Sequence, residues 1–130
     1  MEASLQWLTD PQVFAVNRLP AHSDHRAYGP GGTSLRQSLD GRWQFAYSPN
    51  AAARPAAFWT PGFDTSGFDA IQVPGHIELQ GFGQIQYINT LYPWDGHAEL
   101  RPPEIDWENT HVGSYVRRFD LGPRLLGKRV

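Results

Sequence analysis

Apolar and polar side chains alternate most clearly in Ser38–Tyr47 (SLDGRWQFAY). After an Asp40–Gly41 turn, Trp43, Phe45 and Tyr47 fall on one side and Arg42, Gln44 and Ala46 on the other. A period of two is that of a half-buried strand, so this stretch predicts the cleanest strand in the chain. Gly113–Leu121 (GSYVRRFDL) alternates in the same way and predicts a second, and Ile71–Val73 a short third that Pro74 and Gly75 end. Nowhere is a helical period sustained, because 13 glycines and 11 prolines cut the chain into short segments. The pattern predicts an all-β protein. The alternating aromatics read as one wall of a sandwich core, with a sugar-stacking platform as the other use of such a face. Trp59, Phe63 and Phe68 are expected to cap that core.

The N-terminal part reads differently. Thr9 or Asp10 before Pro11 resembles a helix start and Pro20 a stop, which predicts a short helical turn followed by an extended arm. Tyr28–Leu35 (YGPGGTSL) reads as a flexible glycine-rich linker. It lacks the lysine and the following helix of a phosphate loop. Ala51–Ala57 is an alanine-rich spacer with room for one turn of helix. We therefore expect an arm and linker over residues 1–35 and a β-sandwich over residues 36–130. Two clear strands and a few short ones cannot close a sandwich, so the sandwich is expected to be incomplete at its C-terminal end.

Composition narrows the partners. A formal charge of −2 offers no electrostatic footprint for nucleic acid or an anionic membrane. No cysteine is present, which excludes disulfides and thiolate metal sites and leaves a cytoplasmic location as the default. The N-terminus lacks the basic and apolar regions of a signal peptide, and no stretch approaches the ~20 apolar residues of a spanning helix. Aromatic residues at 13%, five of them Trp, are an excess that needs a use.

Several clusters could carry chemistry. His22, Asp24 and His25 are metal-ligand types, but in a polar stretch without further ligands they read as a solvated arm. Glycoside cleavage usually needs two carboxyl groups flanking the bond, and Glu78, Asp95, Glu99, Glu104, Asp106 and Glu108 are the candidates. Most lie in a polar, proline-rich connection with no apolar pocket to make one of them an acid, so they read as solvated loop carboxylates. No G-x-S-x-G elbow occurs. The most distinctive stretch is Val73–Trp94 (VPGHIELQGFGQIQYINTLYPW). Its glycines at 75, 81 and 83 let the backbone turn, Asn89 offers amide donors and an acceptor, and Tyr87, Tyr92 and Trp94 offer faces for a sugar ring. The same residues fit a strand end in which Asn89 caps a turn.

Five segments carry a resemblance: Val16–Ser23 (VNRLPAHS), Ser38–Tyr47, Val73–Gly83 (VPGHIELQGFG), Gln86–Pro103 (QYINTLYPWDGHAELRPP) and Val112–Leu121 (VGSYVRRFDL). In this order they resemble the N-terminal region of bacterial β-galactosidases of glycoside hydrolase family 2, over nearly the whole chain from Trp7 onward. The resemblance implies a jelly-roll, galactose-binding-like domain at the start of an enzyme whose two catalytic glutamates lie in a TIM barrel. It implies no catalytic residue here, and a substrate-binding role for Asn89, with Tyr87 and Trp94 beside it. It implies no metal ligand in this chain either, while the complete family enzyme would use magnesium and sodium held by residues beyond Val130. The implied partners are a β-galactoside, the barrel of the same polypeptide and further copies in a homo-oligomer. A stand-alone carbohydrate-binding module and a complementing or assembly fragment are the alternatives.

Overall fold

The computed structural model describes residues 4–85 and 99–128. Its centre is an antiparallel sheet of three strands in the order β2-β1-β3: β1 Gly41–Ser48, β2 Asp69–Val73 and β3 Val112–Val116. The longest strand is therefore the middle one, and both neighbours take their register from it.

Trp43 pairs with Ile71, Phe45 with Asp69 and Tyr115, and Tyr47 with Gly113. Directly opposite residues share a face, so the alternation in β1 places Trp43, Phe45, Tyr47, Ile71 and Tyr115 together. Phe45 is 0% and Ile71 1% exposed. Burying each contributes roughly 1.5–3 kcal/mol. The Phe45 ring meets Phe82 at 4.6 Å and Tyr115 at 4.7 Å. Gly113 makes room for it, since a Cβ there would lie 2.7 Å from the Phe45 ring.

The other face of β1 is tied to Phe63–Thr65 by polar groups. Gln44 Oε1 accepts from the Thr65 hydroxyl at 2.7 Å and from Arg118 at 2.9 Å. Arg118 also donates to the Phe63 carbonyl and to Thr65 Oγ1. Thr65 and Ser114 are buried polar residues, and Ser114 Oγ has no hydrogen-bond partner among the described residues.

The all-β expectation holds, since the described residues form strands and short 3₁₀ turns. Local details differ. The N-terminal helical turn is Leu5–Leu8, capped by Ser4, and does not start at Thr9 or Asp10. The Asp10 carboxylate instead accepts the Gln12 N–H in a separate turn. Tyr28–Leu35 folds back on itself: Tyr28 bridges Ser34, and Gly29 N–H donates to the Thr33 carbonyl. The positive φ of Gly31 and Gly32 makes that reversal possible. β3 ends at Val116 rather than Leu121, because Arg117 and Arg118 swing back to carbonyls of β1's start and of Phe63. Trp59 does not cap the core. It is 54% exposed and, among the described residues, meets the Phe58 ring edge-on, while Phe63 and Phe68 meet each other.

Candidate functional site

The stretch singled out by its glycines, amide and aromatics leaves the sheet at the end of β2. A 3₁₀ turn, Glu78–Gln80, follows and is stopped by Gly81 in the left-handed region at φ 92°. The Gln80 side chain behaves as an added peptide group. Its Oε1 accepts the Gln72 N–H at 2.7 Å, and its Nε2 donates to the Gln72 carbonyl at 3.0 Å and the His76 carbonyl at 3.3 Å. Phe82 N–H then donates to Ile77, and the Phe82 ring lands on Phe45. This outgoing stem is held by both backbone and core contacts.

The returning stem is a self-braced turn before β3. Asp106 Oδ1 accepts the N–H groups of Glu108 and Asn109, its Oδ2 accepts the Asn109 amide, and the Thr110 hydroxyl donates to the Asp106 carbonyl. His111 follows, with Nδ1 2.5 Å from the Tyr47 hydroxyl. The two stems thus meet on one face of the sheet, over the end of β1.

Asn89, Tyr87 and Trp94, together with Tyr92 and Asp95, lie outside the described residues. The remaining candidates are placed. Glu78, Glu99, Glu104 and Glu108 are exposed, and the Glu104 carboxylate accepts the Arg101 N–H while Asp106 braces its own turn. These are local structural contacts, not a facing carboxylate pair. His22 Nε2 lies 3.8 Å from Asp24 on the arm, and His22 Nδ1 is bonded to the Pro20 carbonyl. No three His, Cys, Asp or Glu side chains converge on a metal position among the described residues.

Two groups have shifted pKa values. Asp64 is held below the ordinary 3.8, first by the Ser66 N–H and then by the Ser66 hydroxyl, with Arg118 adding to it. Tyr115 is raised above 10.0 by burial and secondarily by the Glu78 charge. Arg117 stacks 5.9 Å over Trp43 and donates to the Asp40 carbonyl, closing the opposite end of the aromatic face.

Sequence reasoning missed Gln80 and His111, and read Asp106 as a solvated loop carboxylate rather than the brace of a turn. Asp106 has a local signal, an aspartate two and three residues before N–H groups that need acceptors. The Tyr47–His111 bond joins residues 64 apart and leaves no trace in either local pattern.

An antiparallel sheet with one aromatic, core-facing side defines the class: an all-β, sandwich-type domain. Residues 36–129 match the glycosyl hydrolases family 2 sugar binding domain, and the chain belongs to that family. The family's sugar-binding domain is a jelly-roll-like β-sandwich, and the three-stranded sheet fits as part of it. The chain is 48% identical to the beta-galactosidase large subunit of Leuconostoc lactis, aligned over 100% of this chain and 24% of that protein. It is 52% identical to a beta-galactosidase of Halalkalibacterium halodurans, over 92% of this chain and 12% of the relative. A beta-galactosidase of Clostridium acetobutylicum is 47% identical, over 97% and 15% respectively. The chain thus spans between 12% and 24% of the length of these relatives.

Proposed function

We propose that this chain is the N-terminal sugar-binding part of a β-galactosidase that removes terminal β-galactosyl groups with retention of configuration. In this reading a catalytic barrel elsewhere in the polypeptide holds both glutamates, along with the ligands of any magnesium or sodium. The chain supplies a loop that meets the sugar. The observation that carries the reading is identity of 47–52% across nearly the whole chain with proteins named beta-galactosidase.

Within this reading Asn89 is the substrate contact and Tyr87 and Trp94 flank it. An amide presents two donors and an acceptor in one plane, which suits adjacent hydroxyls of a galactosyl ring. Such contacts accelerate cleavage only as far as they strengthen in the oxocarbenium-like transition state. Replacing Asn89 by Ala in the complete polypeptide is expected to lower kcat/KM by roughly 1–3 kcal/mol, the worth of a well-placed hydrogen-bond partner. Steady-state kinetics on a chromogenic β-galactoside would check this. Unchanged kinetics would remove Asn89 from the site.

The arm has its own task in this proposal. Phe14 is 79% exposed and Leu19 53%, on a segment with no core of its own. Such an arm gains order by docking, here on the remainder of the polypeptide or on a second copy in a homo-oligomer. If both side chains stayed in solvent in the assembled enzyme, this part of the reading would fail.

A further inference from the structure

Where the arm joins the sheet, two backbone reversals from distant parts of the sequence come together. The first is the fold-back of Tyr28 onto Ser34 through Gly31 and Gly32, with Leu35 packed so closely on Gly29 that a Cβ there would lie 3.7 Å from its side chain. The second is the 3₁₀ turn Pro123–Leu125, which seats the buried Leu125. Gln37 ties the second to the first. Its Nε2 donates to the Asp120 carbonyl at 2.8 Å and its Oε1 accepts the Gly122 N–H at 2.7 Å, across 83 and 85 residues of sequence. A cavity of about 680 Å³ results, lined by Arg26, Tyr28 and Leu35 from the first segment and by Arg124 and Lys128 from the second. Its size is that of a small-molecule site, roughly 300–1,000 Å³.

Three cations line this cavity, and among the described residues no carboxylate does. Nor does any of the three side chains have a hydrogen-bond or ion-pair partner among the described residues. The chain as a whole carries a formal charge of −2, so the positive charge here is a local excess. Cations held around one space repel each other until an anion offsets them. The remaining wall is apolar: Tyr28 is 59% exposed, with Arg36 5.6 Å over its ring. We propose that this cavity binds a small phosphate ester, its phosphate held by Arg26, Arg124 and Lys128 and its body laid against Tyr28 and Leu35. A carboxylate has two oxygens in one plane, which suits a single guanidinium fork. A phosphate monoester has three terminal oxygens and a charge of about −1.5 to −2, which matches cations supplied by two separate segments. This site is independent of any role of Asn89.

The test is isothermal titration calorimetry on the complete polypeptide carrying this chain. Phenyl phosphate is the probe, because it joins a phosphate to a ring and contains no sugar; inorganic phosphate and sulfate are the comparisons. Phenyl phosphate is expected to bind saturably with a Kd of about 1 mM or below, and the two inorganic anions, which have no body to lay on Tyr28, about tenfold more weakly. Arg26→Gln and Arg124→Gln should each weaken phenyl phosphate about tenfold, and Lys128→Gln about threefold, with the melting temperature of the unliganded protein unchanged. Should one of these variants fail to fold, the other two read the same site. Tyr28→Ala should weaken phenyl phosphate about fivefold and leave inorganic phosphate as it was. Absence of saturable binding would overturn the proposal, as would parental affinity in Arg26→Gln or Arg124→Gln. Sulfate binding as tightly as phenyl phosphate would reduce the cavity to a patch of positive charge and overturn it too. So would displacement of phenyl phosphate by a penta-glutamate peptide at lower concentration than by inorganic phosphate, since the occupant would then be an acidic protein segment.

Discussion

Tyr115 stands on the aromatic face between Trp43 and Phe45, within electrostatic reach of Glu78. Burial disfavours its phenolate, and the neighbouring carboxylate adds to the cost, so its pKa lies above 10.0. A group whose folded pKa is raised contributes stability that is fully present below the unfolded value. That contribution is lost as pH rises through the folded value, which places its effect in the alkaline range above 10.0. The difference in phenolate absorbance between the parent and Tyr115→Phe isolates this residue's titration. Its midpoint should lie above 10.0, and a midpoint at or below that value would show that the ring is not shielded. At this scale the sequence was partly legible. Phe45 is readable as core because it sits at the centre of an alternating run, and the structure leaves it 0% exposed. Tyr47 belongs to the same run, and its second task is invisible because His111 reaches it from 64 residues away.

At the scale of elements, β1 was recognisable by its period of two, and β2 by a short apolar run stopped at Pro74 and Gly75. The far end of β3 was misleading. Arg117 and Arg118 continue the alternation in sequence, but their guanidinium groups are drawn to carbonyls of Asp40, Arg42 and Phe63, and pairing stops at Val116. Long-range polar contacts of this kind override a local pattern. Gln80 shows the same effect at the outer edge of β2, where its amide occupies both the N–H and the carbonyl of Gln72. An edge so occupied is shielded from pairing with another strand. Gln80→Ala should accelerate hydrogen exchange at the Gln72 amide and cost roughly 1 kcal/mol, since the freed groups can turn to water. Unaltered exchange at Gln72 would mean that the amide does not protect this edge.

At the scale of the molecule, the described residues form a sheet of three strands with one fully buried aromatic ring, a small core. The segments on either side of residues 86–98 are braced by the Gln80 amide and the Asp106 carboxylate. Membership of the glycosyl hydrolases family 2 sugar binding domain accounts for the sheet as part of a β-sandwich. The family was legible from the five ordered segments, and the fold class from periodicity. The role of Asn89 was not legible from the local pattern, which fits a turn cap and a sugar contact equally well. The most direct measurement is therefore a structure of the complete polypeptide with galactose bound. The account predicts the Asn89 side-chain amide about 2.7–3.2 Å from a galactosyl hydroxyl. A galactose bound in the barrel with Asn89 out of reach, neither direct nor through one water, would contradict it.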